Sequence, residues 1–196
     1  MPASGGTVFS VGDTFVMDIQ GVDGTNDGSD CQTVDFGLFT LPFIDTEDVP
    51  ICQDIGSPIG SLLPDPRFGV WYKLTIDSDC EVDLTLSTCE TTTPFDTAIA
   101  VYEANGDFDC GEAIPDLMSL LSCVDAADDT CSGNSVLTEL SLSQPLSVSG
   151  TKTVYIMVYS GNSAADIDFV FGVGDFRLEG SVQGLPGCGA GGGKPP

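Results

Sequence analysis

The chain has 196 residues, of which 30 are acidic and 5 basic, giving a net charge of −25, and 41% are hydrophobic. That apolar share is too high for a disordered acidic chain and suffices for one sizeable core, or one core with extended arms. The acidic surface repels phosphate backbones and anionic headgroups, which argues against nucleic acid as a partner, and no apolar run has the length of a membrane-spanning helix, which argues against membrane insertion.

Asp outnumbers Glu 23 to 7, and there are 24 Gly and 12 Pro. Asp, Gly and Pro suit turns and strand ends, so the composition favours an all-β protein. Eight cysteines stand at 31, 52, 80, 89, 110, 123, 131 and 188, with no histidine and no CxxC pair. Zinc sites are usually built from close ligand pairs, often with histidine. Dispersed cysteines in even number point instead to disulfides and an oxidising compartment, extracellular or at the cell surface.

In chain order, TVFSVGDTFVMDIQ (7–20) alternates enough for one or two strands, with Phe15, Met17 and Ile19 on one face. A Gly- and Asp-rich loop follows, then a short strand, VDFGLF, with Val34, Phe36 and Leu38 on one side. Residues 42–68 hold five prolines and read as an irregular connector. From Val70 the period-two pattern strengthens: Val70, Tyr72, Leu74 and Ile76; Val82, Leu84 and Leu86; Ile99 and Val101; Val136, Thr138, Leu140 and Leu142; Val154, Ile156 and Val158; Ile167, Phe169, Phe171 and Val173. Six half-buried strands separated by polar turns predict a disulfide-stabilised antiparallel β-sandwich or jelly roll with extended N- and C-terminal segments. Ile114, Leu117, Met118 and Leu121 have helical spacing, so a helical turn can precede Cys123. The expected organisation is N-terminal strands or an arm over 1–45, a Pro-rich connector over 46–68, the sandwich over 69–175, and a C-terminal strand with a Gly-rich tail over 176–196. GAGGGK in that tail lacks the strand–helix context of a phosphate loop.

By spacing, Cys110–Cys123 would close a loop of about 14 residues, worth about 3 kcal/mol in the loop-entropy model. Cys31–Cys52 would tie down the connector. That leaves Cys80, Cys89, Cys131 and Cys188, and the tail position of Cys188 makes an intermolecular bond an open alternative.

The segments GVWYKL (69–74), LSTC (86–89), FDTAIAVY (95–102), CVDAADDTC (123–131), SVLTELSL (135–142), TVYIMVYSG (153–161) and DIDFVFGV (166–173), in this order, resemble the bacterial pre-peptidase C-terminal (PPC) domain in its Cys-containing secreted variant. The resemblance covers about residues 69–173. It implies a β-sandwich serving as an accessory, secretion-related or adhesive module, with calcium in some members. It also implies that Cys89 and Cys131 lie close enough to pair, and that Asp96 joins the acidic residues after Cys123. The sequence departs from the family pattern around Ile114–Leu117 and at Asp125–Ala127.

Read on their own, Asp125, Asp128 and Asp129 form an acidic loop able to supply oxygen ligands to Ca2+, and equally able to be a solvated turn. NDGSD (26–30) is a second such loop. FDTAIA lacks the glycine of the aspartic-peptidase turn and has no second carboxylate turn to share a proton, so Asp96 reads as a turn residue. Thr91, Thr92 and Thr93 before Pro94 form an O-glycosylation cluster or a plain polar loop. Nothing brings a catalytic pair together. The sequence leads us to expect a non-enzymatic extracellular structural or adhesive protein, a self-assembling filament or matrix subunit whose partners are copies of itself or other extracellular proteins and glycans. The alternative is a calcium-dependent accessory module that binds carbohydrate or protein.

Overall fold

The computed structural model describes residues 8–22, 33–34, 38–39, 70–89, 97–104, 121–132, 137–160, 174–186 and 188. These form twelve strands: β1 Val8–Ser10, β2 Thr14–Val22, β3 Thr33–Val34, β4 Leu38–Phe39, β5 Val70–Ser78, β6 Glu81–Ser87, β7 Thr97–Ala104, β8 Leu121–Asp128, β9 Glu139–Ser141, β10 Leu146–Ser147, β11 Gly150–Ser160 and β12 Gly174–Gly184. One sheet has the order β1-β5-β11-β7-β8. The other runs β10-β6-β12-β2, with β9 also paired to β6.

The two sheets bury their alternating faces against one another. Tyr72, Leu74 and Ile76 of β5, Ile99 and Val101 of β7 and Val154, Ile156 and Val158 of β11 line one side of the core. Val82, Leu84 and Leu86 of β6, Leu140 of β9, Leu146 of β10 and Leu178 and Val182 of β12 line the other. Each such side chain contributes about 1.5–3 kcal/mol by leaving water. The expected all-β sandwich is therefore the observed fold.

Several local expectations need correction. VDFGLF does not form one strand: Thr33 and Val34 pair antiparallel with Phe39 and Leu38. Among the described strands the pairing is antiparallel except for β1, which runs parallel to β5 with Val8, Phe9 and Ser10 opposite Thr75, Ile76 and Asp77. Leu121 opens a strand, and residues 114–120 lie outside the described part. The N-terminal strands belong to the sandwich of their own chain. A turn at Gly12, in left-handed backbone (φ 95°), passes from β1 in one sheet to β2 in the other. It is fixed by Gly12 N–H donating to Val182 O (2.8 Å) and Val182 N–H donating to Asp13 O (3.0 Å). Strand β12 lies between β6 and β2, inside the second sheet.

Two disulfides fasten opposite ends of β6. Cys80, just before it, is bonded to Cys188, and Cys89, just after it, is bonded to Cys131. Cys188 thus pairs within the chain, and the intermolecular alternative does not hold. Cys123 is also disulfide-bonded, to a partner outside the described residues. Cys31, Cys52 and Cys110 lie outside them too, as do residues 161–173 and the Gly-rich run after Cys188.

Candidate functional site at the acidic end of the sandwich

The acidic residues after Cys123 are the only sequence-derived site candidates that fall among the described residues. Asp96, Thr91, Thr92, Thr93 and the 26–30 loop lie outside them. The expected loop is in fact strand β8 up to Asp128, paired antiparallel to β7 with Asp125, Ala126, Ala127 and Asp128 opposite Val101, Ala100, Ile99 and Ala98. Successive side chains of a strand point to opposite faces, so Asp125 and Asp128, three apart, are separated by the sheet itself.

Asp125 lies on the core side, level with Ala127 of the core cluster, and is buried. Its Oδ1 accepts from Ala126 N–H (2.9 Å), and its Oδ2 accepts from Ser143 N–H (2.6 Å) in the turn after β9. The carboxylate reaches from one sheet to the other at their edge. A buried carboxylate held by backbone N–H groups is a satisfied structural charge.

Asp129 ends the strand in left-handed backbone (φ 56°), with its side chain exposed and its N–H donating to Thr138 Oγ1 (3.2 Å). Partial desolvation pushes its carboxyl above the ordinary value.

Behind Asp129 lies a polar cluster that local sequence reading missed. Thr88, Thr97 and Thr138 are fully buried. The hydroxyls of Thr88 and Thr97 share a hydrogen bond of 2.5 Å. Thr138 N–H donates to Thr88 Oγ1 (3.1 Å), Thr88 N–H donates to Thr138 O (2.8 Å), and the Thr138 hydroxyl donates to the Thr97 carbonyl. Next to it, Thr130 Oγ1 donates to Glu139 O (2.6 Å) and accepts from Glu139 N–H (2.7 Å), while Cys131 N–H donates to Leu137 O (3.0 Å). Together with Cys89–Cys131, these bonds join the end of β6, the start of β7, the end of β8 and the approach to β9. No local signal could have found them, because the partners are up to 50 residues apart.

Chemically, this arrangement is a clasp. The threonine hydroxyls are spent on one another and on backbone carbonyls, and the chain has no histidine to activate one. Among the described residues, no group of three or more Asp, Glu, Cys or His side chains is gathered so as to hold a metal ion. Asp125 has both oxygens engaged and faces away from Asp128, so these residues do not fit a shared Ca2+. The disulfides place the folded chain in non-reducing surroundings. Among the described residues, no helix is long and apolar enough to cross a membrane. No protein-family model matches this chain, and no curated protein matches it.

Proposed function

We propose that this is a non-enzymatic extracellular structural or adhesive protein, a subunit of a self-assembling surface filament or matrix. One observation carries the reading: a single sandwich is covalently fastened at both ends of β6, by Cys80–Cys188 and Cys89–Cys131. Such fastening suits a small domain that must persist outside the cell, where no chaperone refolds it. Two further features support it. Asp125, which the sequence offers as a cation ligand, and the buried Thr88, Thr97 and Thr138 are engaged in holding strands together. Six of the seven segments resembling a PPC domain coincide with β5, the end of β6, β7, β8, β9 and β11, and the seventh, 166–173, lies outside the described residues.

A net charge of −25 opposes close contact between copies, so the joint between subunits needs screening by salt, bridging cations or an apolar seam. Strands β1 and β2 are paired within their own chain, so donating them to a neighbour would cost both sheets an edge. The proposal is tested by sizing and negative-stain microscopy of the native protein, with and without chelator and reductant. Regular oligomers or filaments under non-reducing conditions support it. Monomers under every condition refute it.

A further inference from the structure

We propose that the sandwich carries tension between the segment before β1 and the segment after Cys188, with residues 81–187 held outside the path of the force. The biological sense of this rests on the structural reading above. The mechanical argument rests only on connectivity and strand direction.

Cys80 and Cys188 are 108 residues apart in sequence and joined covalently. A pull arriving at Cys188 therefore passes through the sulfur–sulfur bond to Cys80 and enters the fold at the C-terminal end of β5. With Cys123 paired to Cys110, as the spacing suggests, everything between Cys80 and Cys188, including the 42-residue separation bridged by Cys89–Cys131, is a closed loop that the pull bypasses. Local bonds steady the junction. Cys80 N–H donates to Ser78 Oγ (3.1 Å), and Leu185 N–H donates to Glu81 O (3.2 Å).

The other end of the pull arrives at Val8, the N-terminal end of β1. Strand β1 is parallel to β5, with Val8 opposite Thr75 and Ser10 opposite Asp77. One strand is thus drawn toward its N-terminus and its parallel neighbour toward its C-terminus. They must slide past each other, and their bonds are strained together. The side chain of Phe9 adds an anchor: it is buried in the core, with its ring 5.0 Å from that of Phe15.

The contrast with β2 shows why the parallel pairing matters. Strand β2 is antiparallel to β12, with Thr14 opposite Ser181. The N-terminal end of β2 and the C-terminal end of β12 therefore lie together, and a pull on those ends would open the pair one bond at a time. Without β1, the same pull would unzip the second sheet. The only parallel pairing among the described strands sits where the force enters, in the shear orientation, three residues short of a cystine that shields the rest.

The test is single-molecule force-clamp extension of the full chain as a monomer, with handles at its two ends, first without reductant. We expect one resistant step, after which the extension beyond the flanking segments stays within what residues 8–79 can supply, at most ~250 Å. Adding a thiol reductant under force then yields a later step on the order of 200 Å as Cys80–Cys188 opens while Cys89–Cys131 is still closed. The Phe9→Ala variant keeps every cysteine and shortens the lifetime of the first step roughly tenfold or more, by removing the core anchor of β1. An unreduced chain that extends as though residues 81–187 were free would overturn the proposal, as would a first step whose lifetime Phe9→Ala leaves unchanged. If that variant does not fold, the wild-type extension with and without reductant decides alone. Because the chains are pulled singly, these outcomes are independent of whether copies assemble.

Discussion

Gly180 sits in the middle of β12 directly opposite Phe15 of β2, and the ring of Phe15 lies across it. A Cβ at position 180 would stand 2.1 Å from Phe15 Cζ and 2.5 and 2.7 Å from its two Cε atoms. None of these approaches is sterically allowed, so Gly180→Ala forces the ring to move. The ring has little freedom to do so, being buried and packed against Phe9. Overpacking of this kind costs about 1–3 kcal/mol, offset by up to about 1 kcal/mol because alanine restricts the unfolded chain. We therefore expect a net loss of about 2 kcal/mol, read as a lower urea midpoint with unchanged slope under non-reducing conditions. Phe15→Ala alone should cost about 3–5 kcal/mol. With the ring gone, Gly180→Ala should become neutral or slightly stabilising, giving a coupling of about 2 kcal/mol in the double-mutant cycle. The reasoning is refuted if Gly180→Ala costs the same with and without the ring, or costs under about 0.5 kcal/mol in the native background.

Four further outcomes follow from the same structure. Replacing Cys89 and Cys131 by alanine opens a loop of 42 residues and should lower stability by about 4 kcal/mol in the loop-entropy model, measured by denaturation against the oxidised parent. Thr138→Val removes the hydroxyl that donates to the Thr97 carbonyl and accepts from Asp129 N–H; it should cost about 1–3 kcal/mol and speed amide hydrogen exchange at Asp129. Asp129→Asn keeps a residue tolerant of left-handed backbone while removing a carboxyl whose folded-state value is raised. That carboxyl holds its proton more tightly when folded, so its contribution is fully present below its unfolded value and is lost as pH rises through the folded one. The stability difference, parent minus variant, should fall as pH rises across the acid range, and a difference independent of pH would contradict the assignment. Burial holds the phenols of Tyr72 and Tyr102 well above their usual value near 10, so in an alkaline titration followed by tyrosine absorbance both should ionise only as the fold is lost.

The sandwich was legible in the sequence wherever core-facing apolar residues recur at every second position. Tyr72, Leu74 and Ile76, then Val82, Leu84 and Leu86, then Val154, Ile156 and Val158 all alternate in the sequence and all lie in the core. Legibility failed where a second constraint overrode the alternation. In β7 the strand itself is legible from Ile99 and Val101, but the burial of Ala98 and Ala100 on its other face is not. Strand β12 carries Gly180 between the core residues Leu178 and Val182, and that glycine suits the ring of a residue 165 positions earlier rather than a turn. The carboxylates of β8 looked like a loop because acidic residues usually mark one. Only the third dimension supplies the Ser143 N–H that makes a buried aspartate tolerable. The threonine clasp was illegible for the same reason, since Thr88, Thr97 and Thr138 meet only once three separate strand connections have formed.

The claim on which the rest depends is that one chain is closed on itself at both ends of β6. Digestion of the native protein under non-reducing conditions, with mass spectrometry of the linked peptides, tests it most directly. The structure predicts a peptide holding Cys80 bonded to one holding Cys188, and Cys89 bonded to Cys131, from a species of monomer mass on a denaturing non-reducing gel. Free thiols at these four positions, or Cys188 linked between chains, would contradict both the fold's closure and the path of force drawn from it.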